Sequence, residues 1–113
     1  MEHILFKQKV KNDAVEDYIN EHKNASHEFL KAFGESGIKR AIVWRDKNNN
    51  DLFVYMLTDD FKKSMSILIN KEIHKKWIAK MEPLLAEIQD YSNENNINSL
   101  EKIFDVEEQL LKF

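Results

Sequence analysis

Tyr18 and His22 stand one helical turn apart in Asp17-Tyr-Ile-Asn-Glu-His22. Both fall on the apolar stripe made by Val15, Tyr18, Ile19, His22, Phe29, Leu30 and Phe33. A hydroxyl and an imidazole among apolar neighbours form a titratable pair directed at the core. Histidine, with an ordinary pKa of about 6.5, both gives and accepts a proton near neutrality, so the pair suits acid/base chemistry. The bland account of the same residues is structural: an imidazole held by a backbone carbonyl, and a tyrosine whose hydroxyl alone is wet.

The other histidines assemble no second chemistry. His22 and His27 are five apart and point in different directions on a helix, while His3 and His74 are remote in sequence. With no His-Glu-x-x-His motif and no cysteine, neither a metal site nor a thiol nucleophile nor a disulfide is expected. His74, beside Lys75 and Lys76 and within pairing range of Glu72, reads as part of a solvated face, and His27 next to Glu28 reads as surface. Lys62, Lys63, Lys71 and Lys80 are interleaved with acids and extend that solvated face rather than an anion site. A formal net charge of -3 provides no broad positive field, so nucleic acid and anionic membranes are not expected partners.

The elements that must position the pair follow from periodicity. Residues His3 to Val10 alternate Ile4, Phe6, Gln8 and Val10 against His3, Leu5, Lys7 and Lys9, a strand with one covered face. Asp13 as N-cap with Glu16 three residues on predicts a single helix running toward Gly34 and Gly37. Ile38 to Arg45 and Leu52 to Leu57 read as a hairpin around the turn-forming Asp46-Lys-Asn-Asn-Asn-Asp51. Asp59 or Asp60 caps a short helix through Ile69. A longer helix is expected from Lys71 to Ile88, with Pro83 placed to kink or divide it. Gln89 to Asn98 reads as a surface loop, Leu100 to Asp105 as a last strand, and the tail after Val106 as helix or frayed end.

Strand, helix, strand, strand, helix, strand is the split order of a ferredoxin-like α+β fold, with helices on one face of an antiparallel sheet. The 113 residues suffice for one core, so a single domain over 1–113 is expected. The hairpin carries apolar groups on both faces, Ile42 and Trp44 on one, Ala41 and Val43 on the other, and helices cover only one of them. A second copy of the sheet is the simplest cover for the other, which predicts a homodimer. No charged-then-apolar leader and no bilayer-length apolar run is visible, so a cytoplasmic location is expected.

Tyr18-x-x-x-His22, Glu28 and Gly37 after it, Asp46 opening the hairpin turn, Leu52-Phe53, Lys76-Trp77-x-x-x-Met81 and a closing Ile103-Phe104 run in order along nearly the whole chain. In that order and spacing the chain resembles the L-rhamnose mutarotase family. The resemblance implies a ferredoxin-like unit paired into a dimeric α/β barrel, and an isomerase that interconverts the anomers of a free deoxyhexose without cofactor or metal. It also implies His22 as the acid/base residue, Tyr18 as a sugar-binding hydroxyl and Trp77 as an aromatic wall. Tyr55, a hairpin aromatic, is a further candidate for substrate binding, whereas Trp44 reads as packing.

Many members of that family carry a tyrosine where this chain has Ala41, a second tryptophan where it has Ile78, and a stretch with proline and tryptophan where it has Asn24-Ala-Ser-His27. Such changes alter which sugar hydroxyls are satisfied, so L-fucose or another deoxysugar stands beside L-rhamnose. Two other classes remain: a cofactor-independent oxygenase of the dimeric α/β barrel type, and a dimeric sensor domain without turnover.

Overall fold

In the first strand, β1 (Glu2–Val10), alternation turns Ile4, Phe6, Gln8 and Val10 inward, all four of them buried. The computed structural model describes residues 1–87 and 97–113. After β1 come α1 (Val15–Lys23), α2 (His27–Glu35), β2 (Ile38–Arg45), β3 (Asp51–Thr58), α3 (Phe61–Leu68), α4 (Glu72–Met81), β4 (Leu85–Glu87), β5 (Asn98–Leu100) and α5 (Val106–Leu110). The described strands form one antiparallel sheet in the order β2-β3-β1-β4, and β5 pairs with β1 as well. This is the ferredoxin-like α+β arrangement expected from the element order.

Register settles which residues share a face. Phe6 lies opposite Val54, and Val54 opposite Val43, so these three look toward the helices. Leu5, Tyr55 and Ile42 are likewise aligned and look the other way. The helix side holds two clusters. One joins Ile4, Phe6, Val54 and Met56 to Phe61, Met65 and Leu68, and the other joins Val10, Leu52 and Leu85 to Ala14, Tyr18 and Met81. On the opposite side none of the described helices covers the sheet, and Trp44 is 53% exposed.

Three expected elements are corrected. The single helix after Asp13 is two helices: Asn12–Ala14 is a 3₁₀ turn without a side-chain cap, and α1 stops at Lys23. Ser26 then accepts the Phe29 N–H at 3.1 Å and restarts the helix as α2, the competition with the backbone that short hydroxyl residues supply. The helix expected to reach Ile88 ends at Met81, because Pro83 lacks an N–H and clashes with a carbonyl one turn back. A 3₁₀ turn at Glu82–Leu84 follows, and Leu85 opens β4. The last strand is Asn98–Leu100 rather than Leu100 to Asp105, and Asp105 instead caps α5 through the Glu108 N–H. The polar loop read from Gln89 onward lies outside the described residues up to position 96. Among the described residues no helix is long and apolar enough to cross a membrane.

Gly37 joins α2 to β2 at φ +90°, where a Cβ would also meet Ser64 Oγ at 3.1 Å. Gly34, inside α2, would place a Cβ in open space. Urea unfolding should therefore show Gly37→Ala destabilising by about 1–2 kcal/mol. Gly34→Ala should stabilise by up to about 1 kcal/mol. Equal effects would contradict the assigned turn geometry.

Candidate functional site

A cavity of 850 Å³ lies between the sheet and the helices. The sheet supplies its floor from Gln8, Ala41, Val54 and Met56, all on the helix-facing side. Helix α1 brings Tyr18 and His22, α2 brings Phe29 and Phe33, and α4 brings His74, Trp77 and Ile78. The wall is largely apolar with a few polar groups, the usual make-up of a small-molecule site.

An aromatic chain runs through it. The Tyr18 and His22 rings lie 4.1 Å apart between centroids, and His22 meets Trp77 edge-on at 4.9 Å. Trp77 stacks on Phe29 at 4.2 Å, and Phe29 stacks in turn on His74 at 6.0 Å. Each ring is held by its neighbours, so the polar atoms are presented on a stiff wall.

His22 is half-buried, and its Nδ1 lies 2.7 Å from the Tyr18 carbonyl oxygen. A carbonyl only accepts, so Nδ1 carries the proton and Nε2 keeps its lone pair. Burial is the strongest influence on the His22 pKa and lowers it. The Tyr18 carbonyl and the Glu21 charge pull the other way without winning. The result is a neutral imidazole with one basic nitrogen.

His74 is 5% exposed, and among the described residues neither ring nitrogen has a hydrogen-bond partner. Burial lowers its pKa as well. The expectation that His74 belongs to a solvated face is thus corrected. Lys75 and Lys76 do face outward, but His74, Trp77, Ile78 and Met81 follow i, i+3, i+4, i+7 and form the inward stripe of α4. That spacing was readable, and the adjacent lysines masked it. Gln8, on the same face of β1 as Ile4, Phe6 and Val10, also lines the cavity.

The structure brings Tyr18, His22 and Trp77 together, and it separates Tyr55 from them. Tyr55 points to the uncovered side of the sheet, opposite Leu5 and Ile42, where its hydroxyl is hydrogen-bonded to His3 Nδ1. One residue of register parity decides this, since Val54 and Met56 on either side face the cavity. Among the described residues no group of histidine and carboxylate side chains is arranged to hold a metal ion.

The sequence matches the model of the L-rhamnose mutarotase family over residues 3–106. Among solved structures, an L-rhamnose mutarotase from Formosa agariphila is similar at TM-score 0.67 and 23% identity, covering 93% of this chain and 98% of its own. A protein assigned as an antibiotic biosynthesis monooxygenase from Nitrosomonas europaea reaches TM-score 0.65 at 12% identity, covering 92% of this chain and 100% of its own. A conserved protein from Methanosarcina mazei has TM-score 0.58 at 18% identity, over 90% of this chain and 92% of its own. At these identities the structural likeness speaks to the fold. No curated protein matches the sequence.

Burial makes a proton on either ring unfavourable, so the folded-state pKa values of His22 and His74 lie below the ordinary histidine value. As pH falls below about 6.5 the unfolded chain takes up protons that the folded chain refuses. The stability owed to these rings is therefore complete above that pH and is lost as pH falls through their folded-state values. NMR titration of ¹⁵N-labelled histidine should give midpoints below 6.5 for both, with His22 protonated at Nδ1 throughout its neutral range. A midpoint above 6.5 for His22 would remove the buried-base description.

Proposed function

The chain belongs to the L-rhamnose mutarotase family, and from that premise we propose that it is an isomerase interconverting the α and β anomers of a free deoxyhexose, L-rhamnose first among them. The observation that carries this reading is His22: a neutral imidazole in the cavity wall, its Nδ1 occupied by the Tyr18 carbonyl and its Nε2 basic.

Anomer exchange needs a proton moved from the anomeric hydroxyl to the ring oxygen, and back after the carbonyl has turned over. In this reading Nε2 of His22 accepts the anomeric hydroxyl proton as the C1–ring oxygen bond breaks. The resulting imidazolium then returns that proton to the ring oxygen, giving the open aldehyde. Rotation about C1–C2 presents the opposite carbonyl face, and the same steps in reverse close the other anomer. One proton carrier serves both directions, and a positioned acid/base contributes roughly 10² to 10⁴ in rate. Holding the sugar beside it adds the advantage of proximity.

Trp77, fixed between Phe29 and His22, serves as the apolar wall for the C–H face of the sugar. Tyr18, buried beside His22, contributes to binding and keeps the imidazole in place. Tyr55 sits on the far side of the sheet and belongs in this reading to the subunit interface.

The uncovered sheet face carries Leu5, Ile42, Trp44, Phe53 and Leu57, an apolar patch that favours cover by a second copy. The working unit is then a homodimer, with residues 1–113 acting as one domain in each subunit.

Saturation-transfer NMR between the anomers of L-rhamnose and L-fucose tests the activity. The intact protein should accelerate exchange of at least one sugar, and His22→Ala should lower that rate about 10² to 10⁴-fold. Equal exchange with both proteins would take His22 out of the reaction. Sedimentation tests the assembly. Wild type should run as a dimer, and Trp44→Glu, which sets a charge in the middle of the patch, should run as a monomer.

A further inference from the structure

The cavity contains two polar side chains to which the isomerase reading gives no task. His74 is buried on α4 with both ring nitrogens unpartnered among the described residues, although a neutral imidazole carries one donor and one acceptor. The ring lies among aromatic neighbours: it stacks on Phe29 and meets Phe33 edge-on at 5.9 Å. A buried polar group left so loses its hydration and regains nothing, which is why such groups are rare in native proteins. Leucine or phenylalanine would pack there without that loss.

Gln8 adds a second polar group from the sheet. It is 9% exposed, it occupies an inward position of β1 between Phe6 and Val10, and it lines the cavity. Its amide brings one donor group and one acceptor into an otherwise largely apolar wall. The cavity therefore holds, among the described residues, an unpartnered imidazole on its helical wall and a second polar group, the Gln8 amide, on its floor.

Resting on the isomerase reading above, we propose that His74 and Gln8 are the specificity residues of this cavity, each taking up hydroxyl groups of the sugar whose anomers His22 exchanges. A hydroxyl both donates and accepts, so it satisfies either end of a neutral imidazole and either end of an amide. Burial keeps the His74 ring neutral and both of its functions available. Sites that hydrogen-bond a hydroxyl reject analogues lacking it far more strongly than apolar walls reject a missing methyl group. In this arrangement the aromatic chain provides a general sugar wall, and His74 with Gln8 decides which hydroxyl pattern is accepted.

The test uses the full chain. ¹⁵N-labelled histidine spectra are recorded during titration with L-rhamnose and with L-fucose, and anomer exchange is measured for wild type, His74→Phe, His74→Gln and Gln8→Met. The expected result is a saturable shift of the His74 nitrogens with the preferred sugar. KM should rise about tenfold in His74→Phe and in Gln8→Met, with a smaller fall in kcat. His74→Gln, which keeps a donor and an acceptor, should recover most of that loss. Thermal unfolding separates binding from scaffold: His74→Phe should melt no lower than wild type, since an unpartnered polar ring gives way to an apolar one of similar shape. Unmoved His74 signals together with unchanged KM in both His74→Phe and Gln8→Met would overturn the proposal. If wild type exchanges no sugar faster than buffer alone, the isomerase reading falls and the titration alone decides. A saturable His74 shift then keeps a sugar-binding role for this pair, and its absence overturns it.

Discussion

The hydrogen bond from His22 Nδ1 to the Tyr18 carbonyl, 2.7 Å within one turn of α1, is the constraint on which the site depends. It assigns the tautomer, because a carbonyl has no proton to offer, and so it decides which nitrogen remains basic. It also ties the ring to the helix, so that the position of the base follows the position of α1. The C-terminal end of a helix favours a positive charge on a nearby histidine, and Glu21 favours it too. Burial outweighs both, and the ring stays neutral where a surface histidine at the same helix end would gain a proton. The bland reading of this residue and the functional one are thus not rivals: the backbone contact that satisfies one nitrogen is what frees the other.

Much of this was legible from residue spacing. Alternation in β1 grouped Ile4, Phe6, Gln8 and Val10 on one face, which is the buried one, and the run Asp46-Lys-Asn-Asn-Asn-Asp51 marked the hairpin turn between strands whose extents agree with expectation within about a residue. The Tyr18–His22 pairing and the placement of Trp77 on an inward stripe were equally accessible, since a period of 3.6 fixes which side chains share a helix face. His74 was obscured because its neighbours Lys75 and Lys76 are solvated, and charge next door is a poor guide to where one helical position looks. Tyr55 went astray for the complementary reason. Both faces of β3 are apolar, so composition could not say which parity faced the helices, and only pairing with β1 settles it.

The misjudged helix ends share one cause. Hydrophobic spacing continues smoothly across Asn24 to Ser26 and across Pro83, so periodicity alone extends a helix through both. Local backbone chemistry stops it. Asn24 turns its amide back to the Asn20 carbonyl at 2.8 Å, and Ser26 offers the Phe29 N–H a new acceptor, so one helix ends and another begins within three residues. Proline removes a donor from the ladder at the other break. In both places a bond made by one or two residues prevails over a pattern averaged across many.

Those same breaks build the cavity. An unbroken helix from Asp13 to Gly34 would carry Phe29 along the line set by Tyr18 and His22. With the chain redirected at Ser26, Phe29 instead lies flat on Trp77, and α2 packs against both α4 and β2. At the second break, release from α4 after Met81 lets Leu85 pair with Val10 on β1 and close the core cluster that surrounds Tyr18. The helices therefore contact the sheet through two separate clusters, and the space between them remains open. A single cluster would bury more apolar surface and leave the protein more stable, with no room for a ligand. The divided core, with two neutral histidines inside it, is what a small domain gives up in stability to keep a hollow lined by fixed polar groups.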